Sequence, residues 1–411
     1  MLLFSLALTS DLFAQSGPVS GKYIVLLKAG VSPTVVAARH GLSPDFVYGT
    51  AVNGFAGAIP PGRLRALQSD PRVVVIVPDN QVFAIARPGG GGGGSTAQVV
   101  PEGVKRVGAV PGYSGAGIGV AVVDTGVDLG HADLTPVVNA FSSFGGSAQD
   151  DNGHGTHVAG IIAARNNTMD VVGVAPGAQI FAVKVLDASG SGSDASVIAG
   201  LDYVAAHANS VTPPIRVVNM SLGRPASADD SAMHAAVQNV VNAGVTVVVA
   251  AGNDCGSEVS DQVPAGFPEV IAVASTTAKD GVKNRSGYGI GADTASYFTT
   301  DGIGVAVSAP GEDQENVSNG YFLSSVGILS TKLGGGTTRM SGTSMASPHV
   351  AGVAALLYQK AGGSLSPATV RSKLVAGASS QGVAPKNSPT SCYTPDGVLE
   401  GVAFAPGALG L

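Results

Sequence analysis

Cysteine is nearly absent: the 411 residues hold two, Cys255 and Cys392. Two thiols cannot build a disulfide scaffold, although they leave room for one bridge in an oxidising compartment. Charge is sparse too, at 12% of residues, with a formal net charge of -6. A dedicated nucleic-acid binder needs a basic face, so that class is excluded. Beyond the N-terminus no run of about 18 apolar residues is free of charge or glycine breaks, which argues against an integral membrane protein. What is abundant is apolar and small: 45% hydrophobic residues, 59 glycines and 24 prolines, enough for a large core and many turns.

The apolar run Leu2 to Leu8, followed by the small residues Ala14 and Ser16, predicts a signal peptide over 1–16 and hence secretion. The basic leading segment is missing and Asp11 interrupts the pattern, as if the start were truncated. Pro88 to Ser95 reads Pro-Gly-Gly-Gly-Gly-Gly-Gly-Ser. Six consecutive glycines hold no packed conformation, so 87–96 is expected to be a linker. It separates a small module, 20–86, from a large one.

The small module shows strand-like runs at Tyr23–Leu27, Phe55–Ile59 and Val73–Val77, with a helical Pro61–Ser69 between them, which predicts an α+β domain. Residues 1–96 carry seven Lys/Arg against four Asp/Glu, while the rest carry 15 against 24, so opposite charge favours association of the two modules. In the large module, short apolar runs at Val120–Val123, Val217–Met220, Val245–Ala250 and Val270–Ala274 suit strands buried on both faces. Helical patterns lie between them at His157–Arg165, Ala195–His207 and Ser231–Ala243, and a last helix starts near Ser344. The alternation predicts an α/β fold, a doubly wound, mostly parallel sheet. It spans 97–385, leaving a tail, 386–411, without an assignable role.

Three segments lie where such strands end or helices begin: Val120-Ala-Val-Val-Asp124-Thr-Gly126, Asp151-Asn-Gly-His154-Gly-Thr-His157, and Ser341-Gly-Thr-Ser344-Met. Acyl transfer needs a nucleophile, a base touching it and a carboxylate that fixes the base's tautomer. Ser344, His154 and Asp124 supply these types in rigid, glycine-flanked settings. A fourth segment, Val247-Val-Val-Ala-Ala-Gly252-Asn253, ends a strand in an amide that could donate to an oxyanion, with the Ser344 N–H as second donor.

Asp-Thr-Gly, His-Gly-Thr-His-Val-Ala-Gly and Gly-Thr-Ser-Met-Ala-Ser-Pro-His-Val-Ala-Gly, in that order and spacing, closely resemble the signatures of subtilisin-like serine proteases. The resemblance implies an endopeptidase in which Asp124 orients, His154 is general base then acid, Ser344 is nucleophile and Asn253 is an oxyanion donor. It implies that Ser221, Leu222 and Gly223 pair with an extended substrate, and that Ala251, Gly252 and Asn253 form the other wall of the primary pocket. Arg224 is expected to be a solvated surface residue.

The same likeness implies a structural calcium held by Gln98, Asp133, Asn167 and the carbonyls of Arg165, Met169 and Val171, against the alternative of an Asn-rich surface turn. Lys22–Lys28, Asn53–Gly57, Leu67–Pro71 and Val77–Gln81 resemble the family's propeptide, so the small module is expected to be chaperone and inhibitor. Its last strand, Gln81–Ala86, is expected in the cleft, with cleavage near Ala86–Arg87 or in the linker before Ala97. His157 follows His154 at i, i+3 without the glutamate of a zinc peptidase helix, and it and His349 are expected to be packed core residues. The expected partners are peptide and protein substrates and the chain's own propeptide, with no nucleic acid and no membrane, and a monomer is expected. A catalytically dead relative and an intracellular dibasic processing enzyme are the alternatives. The intact triad residues speak against the first. The leader-like start and the lack of acidic residues in the pocket walls speak against the second.

Overall fold

In the computed structural model, which describes residues 17–88, 97–108, 110–381, 396–398 and 400–411, the small module runs β1 (Pro18–Leu27), α1 (Pro33–Arg39), β2 (Phe46–Tyr48), β3 (Gly54–Ala58), α2 (Pro61–Gln68) and β4 (Val73–Ala84). The expected leader and most of the linker lie outside the described residues. The strands form an antiparallel sheet ordered β4-β1-β3-β2. Alternation along β1 divides its side chains between two cores. Val25 and Leu27 pack with Val36, Phe55 and Leu67 inside the module. Ile24 and Leu26 face the other way and join the large module's core with Tyr48 and Val77. The α+β expectation is met, with α1 and β2 added. In the seven-residue α1 the apolar period is too short to stand out, and its start is marked by Pro33 and a hydrogen bond from Val35 N–H to Ser32 Oγ.

After β5 (Arg87–Pro88) and α3 (Glu102–Val107), the large module alternates β6 (Gly119–Asp124), β7 (Val138–Ser142), α4 (His154–Ala163), β8 (Gln179–Lys184), β9 (Ser191–Ser193) and α5 (Asp194–His207). It continues with β10 (Ile215–Met220), β11 (Leu222–Pro225), α6 (Ser231–Asn242), β12 (Thr246–Ala250), β13 (Gln262–Val263), β14 (Ile271–Thr277) and β15 (Val305–Glu312). The hairpins β16 (Glu315–Val317), β17 (Leu323–Ser325) and β18 (Ile328–Thr331), β19 (Thr337–Ser341) precede α7 (Thr343–Lys360), α8 (Pro367–Gln381) and α9 (Ala405–Leu409).

Seven strands, ordered β15-β14-β12-β10-β6-β8-β7, pair in parallel throughout. This is the doubly wound sheet expected from the apolar runs. Val120 and Val122 of β6 pack with Val158, Ile162, Val350 and Val353 from α4 and α7. Ala121 and Val123 pack on the opposite face with Val197, Leu201, Val237 and Val240 from α5 and α6. A strand covered on both faces has no polar side, so its sequence shows no alternation.

The C-terminal residues belong to this unit. Val402 bridges to Ser308 beside β15, and Ala403, Ala405, Ala408 and Leu409 are buried in the main core. Small residues on a five-residue helix give no readable period, so the segment looked like a tail. Among the described residues no helix is long and apolar enough to cross a membrane.

Candidate active site

Asp124, at the carboxyl end of β6, is fully buried. Its Oδ1 lies 2.8 Å from His154 Nδ1 and accepts the Thr125 N–H at 2.7 Å. His154 is the first residue of α4, entered through Gly153 at φ 107°, a left-handed turn that favours glycine. Asp150, which the sequence reading passed over, anchors this turn. Its Oδ1 accepts from the Asn152 and Gly153 N–H groups and from Thr125 Oγ1, and its Oδ2 accepts from the Thr156 N–H and Oγ1. An aspartate three residues before the helix-capping Gly153 was the available signal. Burial alone would lower the His154 pKa. The Asp124 charge and hydrogen bond outweigh it, so the net shift is upward.

Ser344, the second residue of α7, donates its Oγ to the Ser221 carbonyl at 3.0 Å. Among the described residues His154 Nε2 has no hydrogen-bond partner. The helices that carry His154 and Ser344, α4 and α7, pack against each other, and Ser344 Oγ is turned to the neighbouring strand end. Ser221 Oγ in turn donates to the Ser344 carbonyl at 2.8 Å. His157 is not a metal partner of His154. Its Nε2 lies 3.0 Å from the Ile328 carbonyl, and burial holds its pKa down at about 3. His349 is likewise a core residue, with Nδ1 2.7 Å from the Met345 carbonyl and a pKa lowered by burial to about 4.

The cleft holds the chain's own segment. Beyond its first half, β4 leaves the small module and lies between β9 and β11. Gln81, Val82 and Phe83 oppose Ser193, Gly192 and Ser191. On the other side, Ala84 and Phe83 oppose Leu222 and Gly223. Ala84 N–H donates to Gly190 O at 2.9 Å and Ile85 N–H to Ser221 O at 3.3 Å. After Ala86 the chain pairs again, Arg87 with Ser341 and Pro88 with Met340. On one side of this strand lies the Ser221–Gly223 edge, and on the other, along residues 81–83, lies Ser191–Ser193, an edge the sequence did not suggest. Ala251 and Gly252 are buried and lead into Asn253, whose side chain reaches the bound segment at Ile85.

Asn253 is oriented by Thr343, whose N–H and Oγ1 both donate to Asn253 Oδ1, at 2.9 and 3.0 Å. This leaves Nδ2 to donate to the Ile85 carbonyl at 3.0 Å. At Gly342, which has φ 151°, a Cβ would stand 2.7 Å from that same carbonyl oxygen, so glycine keeps the pocket open. The carbonyl that Asn253 holds is that of Ile85, which puts the Ile85–Ala86 bond at the site, next to the Ala86–Arg87 bond and ahead of the linker, where cleavage is expected. The Ile85–Ser221 hydrogen bond sets that register. Arg224 is not solvated. It is 2% exposed and bridges Asp194 through Nε and Nη2 (2.9 and 2.7 Å) and Asp230 through Nη2 (2.6 Å), because two helix starts bring carboxylates to it.

The calcium candidates also gather. Gln98 Nε2 lies 2.6 Å from Arg165 O, 3.2 Å from Asn167 Oδ1, 3.3 Å from Met169 O and 3.1 Å from Val171 O. An amide nitrogen has two protons, so four oxygens around one point exceed what it can donate. Such convergence suits a cation. Asp133 stands behind the loop, its Oδ1 accepting from Asn167 Nδ2 (2.7 Å) and its Oδ2 from the Val171 N–H (3.0 Å). Cys255 is disulfide-bonded. The only other cysteine in the chain, Cys392, lies outside the described residues.

Comparison with known proteins agrees with this geometry. The model of the Subtilase family matches residues 115–395. An extracellular serine proteinase of Thermus sp. (strain Rt41A) is 37% identical over 372 residues, covering 83% of this chain and 81% of the relative. Subtilisin E of Bacillus subtilis (strain 168) is 34% identical over 380 residues, covering 87% and 86%. The crystal structure of a cold adapted subtilisin-like serine proteinase matches with a TM-score of 0.58 and 32% identity, over 76% of this chain and 99% of that one. With the family model over 115–395 and relatives above 30% identity covering most of both chains, the chain belongs to the subtilase family of serine endopeptidases.

Proposed function

We propose that this chain is a secreted serine endopeptidase, made as a proenzyme, that first cuts its own Ile85–Ala86 bond. Ser344 is the nucleophile, His154 the base and Asp124 the group that fixes the His154 tautomer. Ser344 Oγ turns from the Ser221 carbonyl to His154 Nε2, gives up its proton there and attacks the Ile85 carbonyl carbon. The oxyanion is met by Asn253 Nδ2 and the Ser344 N–H. His154 then protonates the departing amine of Ala86, and water, activated by the same base, releases Ile85 from the acyl-enzyme. Secretion is supported by the apolar leader pattern and by the Thermus relative, which is named extracellular.

The observation that carries this reading is the Asn253 Nδ2 hydrogen bond to Ile85 O, with the strand register on both sides of it. A peptide bound in this way is a substrate before cleavage and a product-like inhibitor after it. The rest of the small module holds that strand in place. Asp202 accepts the N–H groups of Gly49, Thr50 and Ala51, Asn239 Nδ2 donates to Ala51 O, and Asp79 Oδ1 accepts the Ala195 N–H at the start of α5. These contacts support the role of inhibitor and folding template. Calcium fits Gln98, Asn167 and the carbonyls of Arg165, Met169 and Val171, with Asp133 as the adjoining carboxylate. Its contribution there is structural, tying the start of the large module to the 165–171 loop. Gln98 would present Oε1 to the ion.

The test is intact-mass analysis of purified full-length chains. Wild type should release an N-terminal fragment ending at Ile85, and Ser344→Ala should stay in one piece. The same fragment from Ser344→Ala, or a first cut elsewhere, would overturn the reading.

A further inference from the structure

The substrate-like strand is read further from the scissile bond than the triad and the pocket require. Asn80, the sixth residue upstream of the Ile85–Ala86 bond, is 7% exposed, and its Nδ2 donates to Asp194 Oδ2 at 3.0 Å. Asp194 opens α5 directly after the β9 edge that pairs with Gln81–Phe83, so it belongs to the cleft wall. Arg224, one residue beyond the opposing β11 contact at Gly223, grips Asp194 through both carboxylate oxygens. Asp230 holds the guanidinium from the other side. The carboxylate cannot rotate away, and its Oδ2 keeps one acceptor direction aimed at the sixth residue.

We propose that Asp194, clamped by Arg224, is a specificity-determining residue for the sixth position upstream of the cleaved bond, selecting a short side chain with an N–H donor. This inference rests on the proposed cleft reading and extends it from own-chain cleavage to substrates. An aliphatic side chain there buries Oδ2 without its donor. A carboxylate there meets Asp194 directly, with Asp230 close by, and one guanidinium must then offset three carboxylates, the substrate's included. Both are penalised relative to asparagine, the carboxylate more, because it adds like-charge repulsion to the lost hydrogen bond.

Quenched-fluorescence peptides with the sequence of residues 80–87, varied only at the first residue, test this with processed wild-type enzyme. We expect kcat/KM to fall about tenfold from Asn to Leu and about a hundredfold from Asn to Asp, the scale of a lost hydrogen bond to a charged group. In Asp194→Asn the Asn-to-Asp ratio should shrink to a few-fold, with the melting temperature and circular dichroism of the variant as the check on folding. Equal cleavage of the Asn, Leu and Asp peptides at the Ile–Ala bond would overturn the sixth-position selection and leave the peptidase reading standing. Failure to cleave any of them, with the triad intact, would overturn both.

Discussion

Removing the Asp202 carboxylate should loosen the propeptide without touching catalysis. One half-buried side chain on α5 collects three consecutive backbone N–H groups, Gly49 at 3.2 Å, Thr50 at 2.7 Å and Ala51 at 2.6 Å. Hydrogen bonds to a charged acceptor contribute about 1.5–3 kcal/mol each when buried. Gly49 and Thr50 are exposed, so solvent screening brings the set nearer about 1 kcal/mol per bond. The total of about 3 kcal/mol corresponds to a roughly 100-fold weaker complex. The assay is the inhibition constant of the isolated 17–85 segment against processed wild-type and Asp202→Ala enzymes, with a short chromogenic peptide as reporter. Asp202 takes no part in the β9 and β11 pairings that line the cleft, so kcat/KM for that peptide should be unchanged, and this also verifies folding. Added salt should narrow the difference, since part of it is electrostatic. An inhibition constant within threefold of wild type would refute the reasoning.

Further outcomes follow from the site. Asn253→Ala should lower kcat about 10²–10³-fold with KM little changed, the loss already known for the equivalent donor in subtilisin; a raised KM at constant kcat would make Asn253 a ground-state contact instead. Because the His154 pKa is raised above the ordinary 6.5 and the base must be neutral, kcat/KM should fall with decreasing pH around a midpoint above 6.5, and a midpoint below it would contradict the Asp124 pairing. Chelating calcium from Ser344→Ala protein should lower the melting temperature, by the equivalent of about 2.7 kcal/mol if the ion was at 100 times its Kd. An unchanged melting temperature would remove calcium from the account.

The sequence carried the sheet and the candidate triad plainly because both are written in continuous segments. Val120–Asp124 is a strand apolar on both faces that ends in the one carboxylate His154 needs. Ser344 opens a helix whose next fourteen residues are buried. What escaped reading depends on distant residues meeting. The Ser191–Ser193 edge is three small polar residues with no period, and becomes a cleft wall only when β4 lies beside it. Arg224 looked like a surface residue because Asp194 lies 30 positions away, and Asp230, close in sequence, reaches it only through the turn into α6. The position of Ile85 in the site depends on Ser221, over a hundred residues downstream, and no local pattern in the sequence announces that contact. Residues 400–411 carry small side chains whose burial comes from fitting α8 and β15, which no local pattern announces.

The central claim is that Ser344 Oγ is the group that forms the acyl-enzyme. Treatment of processed wild-type enzyme with a fluorophosphonate, followed by peptide mapping by mass spectrometry, reads this directly. The account predicts one adduct, on Ser344, formed in step with loss of activity and prevented by prior addition of the 17–85 segment. An adduct on another residue, or inactivation without modification of Ser344, would contradict it.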